Sequence, residues 1–136
     1  VAVGDSGALV VRDGGTWSSA AVPTTKDLNA VYGLTDEALW AVGADGTVLR
    51  YDGTTWASVA IPTESSLWGV WQAETGEVFV VGNNGTALMT ADDGVTWRDL
   101  PTGVDANLYA VDGTSAETVW AVGNRGQVLQ YAGPVE

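Results

Sequence analysis

Val81-Gly82-Asn83-Asn84-Gly85 is one of four copies of the pattern Val-Gly-x-x-Gly, and the spacing of these copies decides the fold. The leading glycines lie 39, 39 and 41 residues apart, at Gly4, Gly43, Gly82 and Gly123. A Thr-Trp pair keeps the same step at Trp17, Trp56 and Trp97. A Leu-x-x-Val pattern keeps it too, beginning at Leu28, Leu67 and Leu108. A period of this length, filled with short apolar segments, indicates a repeat architecture.

The third repeat shows what one unit contains. An apolar segment starts at Leu67, and a nearly continuous apolar run covers 77–82, as expected for a strand covered on both faces. Asn84-Gly85 predicts a two-residue hairpin turn, because both central positions of that turn need positive φ. Two more short segments follow, at 86–90 and 96–100. Four antiparallel strands in one such unit are typical of a β-propeller blade, so we predict an all-β propeller.

The chain divides into repeat units at 1–27, 28–66, 67–107 and 108–136. We name the four strands of a unit A to D, from the propeller axis outwards. The first unit begins inside strand B and the last stops after strand C, which gives 14 strands, or about 3.5 blades, in an open-ended array. Because open edges pair with other strands, we expect a propeller fragment or protomer that needs further copies of itself, or missing blades, to close a ring.

Composition argues against several kinds of site. Seventeen acidic and five basic residues give a net charge of −12, so nucleic acid is an unfavourable partner. The chain contains no His and no Cys, which removes the usual transition-metal ligands and thiol nucleophiles. No apolar run is long enough for a membrane-spanning helix. We therefore expect no catalytic residue, no cofactor, no metal, no nucleic-acid partner and no membrane insertion.

One segment carries a resemblance to known propellers. The stretch 90–97, Thr-Ala-Asp-Asp-Gly-Val-Thr-Trp, resembles the Asp-box of sialidase-like (BNR-like) propellers, and Asp52 and Asp13 begin shortened relatives. The whole unit, as in 39–56, is similar to repeats in large secreted and surface proteins of myxobacteria. It is also similar to the propeller repeats of photosystem II assembly factors. The resemblance covers essentially the whole chain and implies a β-propeller in which the Asp-box is a folding element.

The Asp-box residues Asp92, Gly94, Thr96 and Trp97 are therefore predicted to be structural. We expect the Asp92 carboxylate to accept N–H bonds across its own turn, as Asp does in Asx-turns. We expect Trp97 to pack between blades. A calcium site at Asp92 and Asp93 is the alternative, but two adjacent carboxylates do not supply six oxygen ligands.

Four aromatic residues of strand A are the candidate ligand-binding residues. They lie near the predicted axis and vary between units while the surrounding pattern is kept: Tyr32, Trp68, Trp71 and Tyr109. Flat aromatic faces suit both sugar rings and protein anchors. The sequence leaves open the alternative that these rings pack against the neighbouring blade.

Three functions remain open at this point. The main hypothesis is a non-catalytic binding or scaffold module that recognises protein or carbohydrate on a secreted or cell-surface bacterial protein, which places it outside the cell. The first alternative is an assembly-factor-like propeller that binds a membrane-protein precursor; the acidic balance counts against it, because a basic patch would favour it. The second alternative is a glycan-cleaving enzyme. The four arginines lie on different parts of the unit, and no pair of carboxylates is singled out by its spacing.

Overall fold

The computed structural model describes residues 1–133 and shows an all-β chain. Its strands are β1 (Ala2–Val3), β2 (Leu9–Asp13), β3 (Thr16–Ser19), β4 (Leu28–Thr35), β5 (Ala38–Gly43), β6 (Val48–Tyr51), β7 (Trp56–Ser58), β8 (Leu67–Gln72), β9 (Val78–Gly82), β10 (Ala87–Thr90), β11 (Arg98–Asp99), β12 (Leu108–Ser115), β13 (Thr118–Gly123) and β14 (Val128–Tyr131). Within the described residues the predicted count of 14 strands is confirmed.

Hydrogen bonds join these strands into four antiparallel sheets, one for each repeat unit. The orders are β1-β2-β3, β4-β5-β6-β7, β8-β9-β10-β11 and β12-β13-β14. Each sheet is a blade of a β-propeller, and the predicted fold and open-ended array are confirmed. The inner strands β4, β8 and β12 begin at the three leucines of the repeat, as the spacing predicted. Strand β9 is buried along its whole length, because blades flank it on both sides.

The fourth strand of the third unit is shorter than the sequence indicated. The prediction placed it over 96–100, but β11 contains only Arg98–Asp99. The preceding residues stay in the turn because Asp92 accepts hydrogen bonds from the N–H and the hydroxyl of Thr96. Trp97 therefore lies between the turn and β11 and belongs to neither strand of the hairpin.

Between strands B and C, each unit makes a turn with left-handed backbone. In the third unit the N–H of Thr86 donates to the carbonyl of Asn83 across 3.1 Å. The two central residues have positive φ, 57° at Asn84 and 68° at Gly85. These values match the primed hairpin turn that the Asn-Gly pair predicted. The same positive φ recurs at the equivalent residues Ser6, Asp45 and Arg125.

This B–C turn docks onto the next blade. The N–H of Gly85 donates to the carbonyl of Ala106 over 2.7 Å, and the N–H of Asn84 donates to Oδ1 of Asn107 over 3.0 Å. Equivalent hydrogen bonds recur in the first two units, in the pairs Ser6–Asp27 and Gly46–Ser65. We call this contact the turn joint. It fastens each blade to its successor through backbone groups that would otherwise be unpaired.

The hydrophobic core lies between blades. One cluster joins Trp40 and Val42 of the second blade to Val70, Val80 and Leu88 of the third. Two more clusters join the third blade to the fourth, and another joins the first to the second. Each blade is thus stabilised mainly by apolar area buried against its neighbours.

A pair of glycine substitutions tests the turn joint. A Cβ at Gly85 would overlap the carbonyl oxygen of Val104, whereas a Cβ at Gly126 meets nothing within 4 Å. Both glycines have positive φ, so both alanine variants carry backbone strain of about 1–2 kcal/mol. Gly85→Ala should lose roughly a further 1–3 kcal/mol of unfolding free energy from the forced contact. Urea titration measures the unfolding free energy of both variants. Equal losses in the two variants would show that the close contact of Gly85 in the turn joint adds nothing to stability.

A matched pair of tryptophans tests the packing between blades. Trp56 of the second blade is 9% exposed, whereas its equivalent Trp17 in the first blade is 54% exposed. Trp56→Ala should cost roughly 3–5 kcal/mol of unfolding free energy, because it leaves a cavity in a buried cluster. Trp17→Ala should cost about 1 kcal/mol or less. Thermal and urea unfolding, followed by circular dichroism, measure the unfolding free energy of both variants. Similar losses would show that packing between the first and second blades adds little to stability.

Candidate functional site

Two of the four predicted aromatic residues lie together at the surface. Trp68 on β8 is 37% exposed and Tyr109 on β12 is 46% exposed. Their ring centroids are 5.9 Å apart, and the rings meet edge to face at 73°. The indole N–H of Trp68 donates to Oδ1 of Asn83 over 2.7 Å. The pair therefore sits on neighbouring inner strands, at the end of the propeller that carries the B–C turns.

Asn29 occupies the same position on the inner strand of the second blade. Its side-chain amide donates to the carbonyl of Leu67 over 2.9 Å and so bridges two blades. Asn29, Trp68 and Tyr109 form a row across three adjacent inner strands. We call this row the inner rim. It combines two exposed aromatic faces with a polar amide.

Trp71 and Tyr32 lie elsewhere. Trp71 is only 7% exposed and packs against Phe79, with ring centroids 5.9 Å apart. Its ring also fills the space next to Gly113, where an added Cβ would stand 2.8 Å from the indole. Tyr32 is half-buried against two core clusters. Both residues follow the packing alternative, so we leave them out of the site.

The charged groups around the inner rim are largely paired. Lys26 donates a hydrogen bond of 2.5 Å to Asp45, and this bond raises the pKa of Lys26 above its usual value. Arg125 of the fourth unit lies 3.8 Å from Asp105 of the third unit. Both pairs are exposed, so each adds little to stability. These pairs neutralise Lys26 and Arg125, whereas Asp5 and Glu64 add exposed carboxylates to the first B–C turn and to the loop before β8.

The Asp-box forms a closed set of hydrogen bonds inside its own turn. Asp92 accepts hydrogen bonds from the Thr96 hydroxyl at 2.6 Å, the Thr96 N–H at 2.8 Å and the Thr90 hydroxyl at 2.9 Å. The Thr90 oxygen in turn accepts the N–H of Gly94 at 2.9 Å. Hydrogen bonds from the Thr96 hydroxyl and N–H hold the pKa of Asp92 below its usual value. Trp97 packs edge-on against Trp40 of the preceding blade, with centroids 6.2 Å apart.

The shortened relatives of the Asp-box differ from one another. Asp52 accepts the N–H groups of Thr54 and Thr55, each at 2.9 Å. The Thr55 bond, followed by the Thr54 bond, lowers the pKa of Asp52. Asp13 makes no such side-chain bond among the described residues, and the two residues that follow it, Gly14 and Gly15, both have positive φ.

Within residues 1–133, the paired arginines lie in different parts of the fold. Arg50 lies over the Trp40 ring, 5.8 Å from its centroid, and pairs with Asp93 at 3.4 Å, whereas Arg125 lies at the opposite end of its sheet. Across residues 1–133, no three His, Cys, Asp or Glu side chains are close enough together to hold a metal ion. In the same residues, no helix has the length and apolar character needed to cross a membrane.

Acid titration tests the role of Asp92. Because its folded-state pKa is depressed, its contribution to stability is present above about pH 3.8 and is lost as the pH falls through the lowered value. Asp92→Asn should melt at a lower temperature than the parent at pH 7, and the gap should close toward pH 2. Asp13→Asn is the matched control and should melt like the parent throughout. A gap of constant size at both pH values would show that the charge contributes nothing.

Comparison with known proteins gives a family and a fold. The model of the family described as photosynthesis system II assembly factor YCF48 matches residues 9–132. No curated protein matches the chain. A solved structure of YCF48 bound to D1 peptide superposes with a TM-score of 0.74 at 21% identity, and the match covers 92% of this chain and 42% of that one. YCF48 from Cyanidioschyzon merolae gives 0.72 at 18% identity, covering 96% and 50%.

The family match and the structural matches support different conclusions. It spans half the length, or less, of the two solved structures that it resembles. At such identities the structural likeness shows the β-propeller fold alone. The family model, by contrast, covers almost the whole sequence, from the first full strand C to the end of β14. The chain therefore belongs to the YCF48 family of photosystem II assembly factors.

Proposed function

We propose that this chain is a non-catalytic propeller module that binds a segment of another protein, of the kind a membrane-protein precursor presents. The observation that carries the proposal is the exposed Trp68–Tyr109 pair in a member of a family with a peptide-bound structure. The binding surface in this proposal is the inner rim. Its neighbour Asn83 holds the Trp68 ring in place through the 2.7 Å hydrogen bond.

The chemistry of the inner rim suits a peptide. A pre-oriented indole loses little conformational freedom on binding, and aromatic residues in such positions carry a large share of binding energy at interfaces. The Asn29 amide adds a polar group beside the rings. With a net charge of −12, the module favours a neutral or cationic segment, and added salt weakens the attraction to a cationic one.

The family match supports the assembly-factor alternative over the main hypothesis from the sequence. Binding of carbohydrate, a place on a secreted or cell-surface protein and association with further copies stay predictions. The lack of catalysis is part of the proposal. It is supported by the pairing of Arg50 and Arg125 with separate carboxylates at opposite ends of the sheets.

Peptide titration tests the proposal. The D1 peptide should bind the parent chain, and Trp68→Ala should weaken binding by about tenfold or more, as at interface hot spots. Trp17→Ala removes an exposed tryptophan on the outer strand of the first blade and should leave affinity unchanged. Calorimetry gives both affinities, and circular dichroism checks that the variants fold. Unchanged peptide binding by folded Trp68→Ala would place the site elsewhere, and binding of an oligosaccharide panel instead of peptide would favour the carbohydrate hypothesis.

A further inference from the structure

Asn84 lies at the exposed corner of the third B–C turn, directly before Gly85. Asparagine followed by glycine is the dipeptide most open to loss of the side-chain amide, because glycine has no Cβ to shield its own backbone nitrogen. Of all the asparagines in the sequence, Asn84 is the one that precedes a glycine. It therefore has the most reactive neighbour of any asparagine in this chain.

The reaction is an internal displacement followed by hydrolysis. The backbone nitrogen of Gly85 loses its proton and attacks Cγ of Asn84, so that a C–N bond forms and a five-membered imide ring closes. The bond from Cγ to the side-chain nitrogen breaks, and that nitrogen takes up the proton and leaves as ammonia. Water then opens the ring at either carbonyl, which gives aspartate or isoaspartate. No oxidant or reductant takes part.

The folded turn holds the two reacting groups apart. Asn84 has φ 57° and ψ 38°, and in an L-residue this ψ places the following nitrogen nearly opposite Cβ across the Cα–C bond. Ring closure requires both on the same side. The Gly85 N–H also donates to the carbonyl of Ala106 over 2.7 Å, so that bond must break first. The 3.0 Å bond from the Asn84 N–H to Oδ1 of Asn107 opposes the same opening.

The two products fit the turn differently. Asp45 occupies the equivalent position of the second unit with φ 54° and ψ 39°, and the next N–H, of Gly46, donates to the carbonyl of Ser65 over 3.0 Å. An aspartate in place of Asn84 can therefore return to the same turn. Isoaspartate adds a methylene to the main chain. A single Cβ at Gly85 would already overlap the carbonyl oxygen of Val104, so the turn joint has no room for the longer backbone.

We propose that Asn84 is a site of spontaneous deamidation, which reacts only while the turn joint of the third unit is open. The reagent is water, and opening of the turn joint controls the rate. The aspartate product closes the joint again and adds one carboxylate, whereas the isoaspartate product leaves the third and fourth blades without this contact. The inference does not depend on the function proposed for the inner rim.

Incubation of the folded chain at mildly alkaline pH, followed by peptide mapping with mass spectrometry, tests the site. The reference is a synthetic peptide with the sequence of residues 81–87, acetylated and amidated at its ends, which has no turn joint. Asn84 should react about tenfold to a hundredfold more slowly in the folded chain than in the peptide, because the reaction requires a locally opened state. Equal rates would overturn the proposal, and so would a folded chain without product at Asn84 once the peptide is fully converted.

Two variants show whether the turn joint controls the rate. Asn107→Ala removes the acceptor of the Asn84 N–H and should speed deamidation about threefold to tenfold, as expected for the loss of one hydrogen bond. Ser66→Ala makes the corresponding change in the second unit and should leave the rate at Asn84 unchanged. Thermal melting verifies that both variants fold. The same rate at Asn84 in both variants would overturn control by the turn joint.

The stability of the two products tests the rest of the proposal. Asn84→Asp supplies the aspartate form directly and should melt like the parent at pH 7. The isoaspartate form is separated by chromatography and identified by isoaspartate-specific methyl transfer, and it should melt at a lower temperature. An isoaspartate form that melts like Asn84→Asp would overturn this part, because it would show that the turn joint accepts the longer backbone.

Discussion

The turn joint is the contact on which the rest of the structure depends. A turn with left-handed backbone can point its N–H groups away from its own sheet, and here they bond to the loop that leads into the next blade. The contact requires glycine at the second central position of the turn, because a Cβ at Gly85 or Gly46 would overlap a carbonyl oxygen of that loop. The repeated glycines are thus a condition for placing one blade against another. The apolar clusters pack between the sheets that these contacts hold together.

The same contact explains why the fold could be predicted and where prediction stopped. The Val-Gly-x-x-Gly pattern encodes both the hairpin and the joint, so its spacing locates every blade. The outer strands are encoded less firmly, since β11 is cut short by hydrogen bonds to Asp92 that depend on three-dimensional geometry. The aromatic residues show the limit most clearly. Trp68 and Trp71 are three residues apart on one strand, yet the register turns the first to the surface and the second into the core. Composition alone does not distinguish them.

The inner rim is positioned by the same B–C turn that makes the turn joint. Asn83 begins the B–C turn of the third unit, donates its N–H to the carbonyl of Ser66 and accepts the indole N–H of Trp68. One asparagine therefore fixes both the turn and the orientation of the exposed ring. A surface formed in this way is stiff and loses little conformational entropy on binding. Most of the entropy cost of ordering then falls on a flexible partner. The acidic surroundings act over longer range and influence which partners approach.

The arrangement of contacts between blades also has a consequence for how the chain unfolds. Each blade touches only the blade before it and the blade after it, so stability is a sum of blade terms and neighbour terms, as in linear repeat proteins. The third blade has a described neighbour on each side and contains the fully buried β9, whereas β11 at the outer edge of the same blade is exposed. Opening of β9 therefore costs more free energy than opening of β11. The described residues form a series of coupled cooperative units and not one indivisible unit.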